Sequence, residues 1–223
     1  MPVKSKRRTY RSEVRAAAAD ETRGRIIAAA RALLAGDGTT PAFSLDAVAR
    51  EAGVTRLTVY NQFESKRGLL EALFDETARM GGLFELPAVF ALSDVHEALR
   101  RFVSVFCRFW ASHGKLFPKF SALARLDDEI AESIKQRSER RRHALEVLVA
   151  RLEAHEPQEL VDVLFALTSF EVFDLLSARN RSHAAVEALV QQLVAESVKR
   201  MSSRPHKLPA RRRTDRAPGG RGS

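Results

Sequence analysis

Cysteine is all but missing from this chain. Of 223 residues only Cys107 is one, so no internal disulfide can form, and its apolar helical surroundings mark it as a small core residue. Long apolar runs are missing too: no stretch reaches the roughly 18 to 20 uninterrupted apolar residues of a membrane span. The basic start, Met1 to Arg15, passes into Ala16–Asp20 and a charged helix rather than an apolar run and a cleavage site, which excludes a secretory signal and leads us to expect a cytoplasmic protein with no membrane contact. The six histidines, His96, His113, His143, His155, His183 and His206, fall in no metal-ligand spacing, so no metal or other cofactor is expected. A phosphate loop and a nucleophile beside a base are missing as well. No catalytic residue can be named, and an all-helical enzyme using a histidine or Cys107 near the aromatic residues is the weaker alternative.

Strand alternation is the last absence. Apolar residues recur at intervals of three and four, and Gly and Pro punctuate stretches of helical length, so the chain reads as all α with no internal repeat. The net charge of +9 is unevenly placed. Residues 1–15 carry six Lys/Arg against Glu13 (+5), residues 199–223 nine against Asp215 (+8), and the stretch between is −4. A mildly acidic body thus lies between basic ends, which supply salt-sensitive phosphate affinity but do not identify a specific reader of DNA. Residues 1–17 read as a disordered basic arm, and residues 202–223, rich in Arg, Pro, Gly and Ser, as a disordered tail.

Between them, a first helix is expected from about Ala18 to Ala35, ending at Gly36-Asp37-Gly38. Ser44 is a natural cap for a short helix from Leu45 to Ala52, stopped by Gly53, and Thr55 caps a second, Arg56 to Phe63. A longer helix follows to about Met80, where Gly81-Gly82 breaks it. Further helices are expected near Asp94–Ser112, Leu116–Leu126, Asp128–Ala154, Gln158–Ala178 and His183–Met201. The division is a DNA-binding unit over residues 18–65 and a larger helical effector-binding and dimerisation unit over residues 66–201.

Two helices as short as Leu45–Ala52 and Arg56–Phe63 cannot stand alone. Leu45, Val48 and Ala49 on one, and Val54, Val59 and Phe63 on the other, make faces that pack together, and Ala52-Gly53 permits a sharp crossing. This leaves Thr55, Arg56, Leu57, Thr58, Tyr60, Asn61 and Gln62 on the outer side or leading end of the second helix. That set suits a major groove: Arg56 can donate two hydrogen bonds to one guanine, worth about 1 to 3 kcal/mol of discrimination, Leu57 and the Thr58 methyl suit a thymine methyl, and Tyr60, Asn61 and Gln62 suit phosphates or water-mediated contacts. Ser44 and Lys66 begin helices whose free N–H groups favour a phosphate.

The run Val48-Ala-Arg-Glu-Ala-Gly-Val-Thr-Arg-Leu-Thr-Val-Tyr-Asn-Gln-Phe-Glu-Ser-Lys-Arg-Gly-Leu-Leu resembles the signature of the TetR family of transcriptional regulators. The resemblance covers about residues 20 to 75. It implies an N-terminal three-helix helix-turn-helix domain before a larger ligand-binding and dimerisation domain, and a repressor that binds a palindromic double-stranded DNA operator as a homodimer until a small molecule releases it. By position it implies base contacts from Arg56, Leu57 and Thr58, and phosphate contacts from Ser44, Tyr60, Asn61, Gln62 and Lys66. Leu57 and Gln62 depart from the residues common in the family, which leaves the operator sequence open. A DNA-binding protein governed by a partner protein instead of a ligand is a further alternative.

The rest of the chain offers two surfaces. Leu160, Val163, Leu164 and Leu167, with Val186, Leu189, Val190 and Leu193, belong to helices apolar enough to be covered on both sides; they are either core or, paired across a two-fold axis, a four-helix dimer interface. Phe84, Phe102, Phe106, Phe109, Trp110, Phe117 and Phe120 crowd one region and are either plain core or the lining of a pocket for a lipophilic or aromatic effector. The basic stretch Lys135, Arg137, Arg140, Arg141 and Arg142 reads as a solvated face rather than a counter-ion for an acidic effector.

Overall fold

The computed structural model describes residues 4–36, 43–178 and 180–202, and every regular element among them is helical. Helix α1 (Lys4–Ala35) starts well before Ala18, which corrects the expected disordered arm. No proline and only Gly24 interrupt this Arg- and Ala-rich stretch, so once the packed turns around Ile26 and Ala30 supply the nucleus, propagation towards the N-terminus is cheap. The turn expected at residues 37–38 and most of the basic tail lie outside the described residues.

Helices α2 (Leu45–Glu51), α3 (Arg56–Phe63) and α4 (Lys66–Met80) each begin at a hydroxyl cap. Ser44 Oγ accepts from the Ala47 N–H at 3.1 Å, Thr55 Oγ1 from Thr58 at 3.1 Å and Ser65 Oγ from Gly68 at 2.9 Å. Each cap satisfies a donor that the first turn leaves free. After a 3₁₀ turn (Leu83–Glu85) come α5 (Leu86–Phe90), α6 (Val95–His113), α7 (Phe117–Ala124), α8 (Asp128–Val149), α9 (Pro157–Leu167), α10 (Phe170–Ser177) and α11 (His183–Ser202).

The stretch 158–178, expected as one helix, is two. Ser169 caps α10, accepting from the Val172 N–H at 3.3 Å. At the break the Trp110 indole N–H donates to the Thr168 carbonyl at 3.0 Å, while Arg141 Nη1 donates to the Phe165 carbonyl at 2.7 Å and to Thr168 Oγ1 at 2.9 Å. Groups released by the break are thus satisfied from α6 and α8.

Two cores lie along the chain. In one, Ile26, Ala30 and Leu34 of α1 meet Val48, Val59 and Phe63, then Leu69, Leu70 and Leu73 of α4, and the core continues into Leu116, Phe120, Leu123 and Ile130. The other is centred on α6, whose Phe102, Val103, Phe106 and Phe109 are buried with Leu145, Leu148, Leu160, Leu164, Val186 and Val190. Phe74 of α4 packs against both. No helix of the described residues is long and apolar enough to cross a membrane.

Candidate nucleic-acid interface and cavity

Gly53 makes the turn between α2 and α3. Its φ of 64° is left-handed, while a Cβ there would meet nothing within 4 Å, so backbone conformation rather than crowding demands the glycine. Phe43, just before the Ser44 cap, and Val48, four residues after it, are buried in the same core, a hydrophobic staple that sets the entry angle of α2. Helix α3 is held at its far end from α1: Arg23 Nη1 donates to the Gln62 carbonyl at 3.1 Å, and its guanidinium lies 4.5 Å from the Phe63 ring centroid. The sequence reading missed Arg23; its one signal is a basic residue on a helix whose other face is apolar.

With its inner side locked, α3 turns its other side to solvent. Leu57 is 66% exposed and Tyr60 55%, and Thr55, Arg56 and Asn61 are exposed beside them, with Thr58, Gln62, Lys66 and Ser44 partly covered. Burying Leu57 in the protein's own core is precluded by Val59 and Phe63 occupying the opposite side, so an apolar side chain is left standing in water. Arg56 Nη1 lies 3.4 Å from Asp46 Oδ2 with both side chains more than half exposed; such a pair is weak and readily exchanged. Thr55 and Thr58 are tied together, their hydroxyls 2.8 Å apart. Lys66, in the first turn of α4, has its ammonium 5.8 Å from the Phe43 ring centroid.

Further along, a cavity of about 360 Å³ opens between α4, α6, α7, α8 and α10. Five of the seven expected aromatic residues line it: Phe106, Phe109, Trp110, Phe117 and Phe120. The other two do not. Phe102 is fully buried one turn earlier on α6, its ring 4.7 Å from that of Phe106, and Phe84 of the 3₁₀ turn is 68% exposed. Periodicity placed Phe102 on the right side of α6, but the wall begins a turn later. The lining also includes Phe74, Leu86, Ile134 and Phe170, which come from four other helices and carry no common spacing. Edge-to-face contacts keep the rings in place, with Trp110 and Phe117 centroids 4.6 Å apart at 80°.

Residues 26–73, which take in the last turns of α1, all of α2 and α3 and the first half of α4, match the family model described as bacterial regulatory proteins, tetR family. Over that span the chain is similar to the DNA-binding part of TetR-family regulators. The match supports a DNA-binding transcriptional regulator. Solved structures share the all-helical fold of the whole: a TetR transcription regulator from Haloarcula marismortui is similar with a TM-score of 0.65 and 13% identity, covering 82% of this chain and 100% of that one. A transcriptional regulator from Rhodococcus is similar with a TM-score of 0.64 and 18% identity over 82% and 99%. A Saccharomonospora viridis protein solved in complex with choline is similar with a TM-score of 0.62 and 17% identity over 79% and 96%. Sequence comparison with curated proteins gives no match.

The basic stretch of α8 is only in part the solvated face expected: Lys135 and Arg140 are exposed, whereas Arg137 and Arg141 are partly buried. Arg137, Arg140 and Arg141 line the cavity with Asp75, Ser121, Ser138 and Glu171. Positions 137 and 141, four apart, share the face of Ile134 and Ala144, which the run of cations concealed. Arg137 bonds Asp75 of α4 at 2.6 Å, with only 16% of its side chain exposed, and lies over the Phe74 ring at 4.3 Å. Arg141 lies 4.0 Å over the Phe165 ring. Burial pushes its pKa down to about 10, partly opposed by Glu171 and reinforced by Arg142, which leaves it charged at neutral pH. Arg142 turns away to pair with Asp162, and Lys135 is exposed.

The eight expected interface residues divide. Leu160, Leu164, Val186 and Val190 are at most 1% exposed within one protomer, so they are core and cannot touch a partner. Val163 is 37% and Leu193 39% exposed, and Leu167 and Leu189 are half-buried. Both helices are apolar on two faces, and only packing assigns which face is inner. Cys107 is buried, and burial, with Glu187 nearby, pushes its thiol up to about 12.

Proposed function

We propose that the chain is a ligand-responsive repressor that binds a palindromic operator as a homodimer and leaves it when a lipophilic or aromatic small molecule enters the cavity. The observation that carries the reading is the double membership of α4: Leu69, Leu70 and Leu73 belong to the core beneath the recognition helix, while Phe74 and Ala78 line the cavity. A molecule that fits better when α4 is displaced shifts the dimer to a geometry in which the two α3 helices no longer match half-sites about 34 to 36 Å, or a multiple, apart. In the bound state Arg56, Leu57 and Thr58 meet base edges, and Ser44, Tyr60, Asn61, Gln62 and Lys66 meet phosphates, with Thr55 holding the helix start. The outward residues Val163, Leu167, Leu189 and Leu193 supply the two-fold contact. Choline in the Saccharomonospora viridis structure supports a small-molecule role for the fold.

Selection of binding sites from randomised duplex DNA tests this reading. A recovered palindrome, bound in gel shifts and released by a hydrophobic compound, is the expected result. A pool showing no enrichment at low salt overturns it.

A further inference from the structure

The polar side of the cavity is unequal in charge. Three guanidinium groups, Arg137, Arg140 and Arg141, face two carboxylates, Asp75 and Glu171, and Asp75 is already taken by Arg137 at 2.6 Å. Arg140 is exposed at the rim with no ion pair among the described residues. Arg141 also has no carboxylate within ion-pair distance among them. Its hydrogen bonds among the described residues both leave from Nη1, to the Phe165 carbonyl and Thr168 Oγ1. Its Nε–H and Nη2 donors, the other edge of the fork, have no partner among the described residues, yet are not sealed off as the Arg31 Nε is. A guanidinium edge with two parallel donors matches the two oxygens of a carboxylate. The same cavity is lined by Phe109, Trp110 and Phe117, rings that can take only an apolar body.

We propose that the cavity takes an amphipathic anion, a carboxylate on an aliphatic or aryl body, held by the Nε/Nη2 edge of Arg141 with Arg140 as second counter-charge. This rests on the effector role given to the cavity above and names its ligand class. A simple lipophile leaves a desolvated cation facing it without a partner, which costs affinity. A cation has only Glu171 to answer it, and must lie beside Arg141. Arg141 also clamps the α9–α10 break, so an anion on its free edge is sensed where α8, α9 and α10 meet.

Titration calorimetry on the full chain without DNA compares decanoate, 1-decanol and decyltrimethylammonium, each below its aggregation concentration, with choline as a fourth probe. Decanoate is expected to bind at least about tenfold more tightly than decanol, as one charge-assisted pair implies, and the two cations to bind more weakly still. Arg141→Met is expected to remove the preference for decanoate over decanol. Because that change also loosens the helix break, Arg140→Gln serves as the second variant: it is expected to weaken decanoate by a fewfold, to leave decanol unchanged and to leave the melting temperature unaltered. Equal affinity for decanoate and decanol, a preference for either cation, or no binding by any probe overturns the proposal. Operator binding by the unliganded chain is measured on the same preparation, so a wrong ligand class is distinguishable from a failure of the regulator reading itself.

Discussion

Among the described residues Arg56 is held in the free protein only by an exposed Asp46 at 3.4 Å, and this decides what its removal does. Losing a surface pair costs the fold little, whereas losing a bidentate guanine contact costs about 1 to 3 kcal/mol of discrimination. Arg56→Ala is therefore expected to lower affinity for the selected operator by about ten- to a hundredfold with an unchanged melting temperature; unaltered discrimination between operator and random duplex refutes the assignment. Lys66→Ala, by contrast, weakens all sequences alike and lowers the salt slope by about one. His113 is a different case, a buried histidine. Burial chiefly, and Arg31, hold its pKa below the ordinary 6.5 against the opposing Phe109 backbone bond. Folding thus disfavours its protonated form. That penalty is absent above 6.5, grows as the pH falls below it and stops growing once the pH passes the lower folded value. Melting curves at about pH 7.5 and about pH 5.5 should show a loss of stability on acidification that His113→Phe reduces; an identical loss in both proteins removes His113 from the account.

At the scale of elements, the short helices were legible because their signals are local. Ser44, Thr55 and Ser65 cap within three residues of themselves, and Gly53 takes a conformation only glycine adopts without strain. Gly68 is a stricter requirement: a Cβ there would run into the Phe63 carbonyl oxygen, which is backbone and cannot give way. Gly24, in the middle of α1, has nothing within 4 Å of such a Cβ. Gly68→Ala should destabilise by about 1 to 3 kcal/mol, while Gly24→Ala should stabilise by up to about 1 kcal/mol through helix propensity; denaturant midpoints that move together would contradict this. The α9–α10 break was not legible, since Thr168 and Ser169 are tolerated inside helices and the groups that answer the break, Trp110 and Arg141, lie 58 and 27 residues away.

For the whole molecule, α4 and α8 run side by side in parallel, tied by Arg67–Glu129 at 3.9 Å near their starts and Arg137–Asp75 at 2.6 Å eight residues on. The recognition unit and the cavity therefore share one stiff strut. The outward faces of α9 and α11 belong to this scale as well. Leu193→Asp places a charge on an exposed position of one protomer and should spare its fold, yet drive a dimer to monomer and abolish operator binding; sedimentation showing the same mass for wild type and variant would argue against this face as the interface.

On its own the sequence determined what depends on neighbours along the chain: helical period, caps, the Gly53 turn, and an outer side of α3 bearing Arg56, Leu57 and Tyr60. Tertiary structure alone decided which apolar face of α9 and α11 turns inward, where the rings of α6 begin to line a cavity, and that Arg137 and Arg141 face it instead of solvent. The physical reason is that period and capping act through bonds a few residues long. The face a helix buries, and the partner a buried cation meets, are set by side chains brought together from distant parts of the chain.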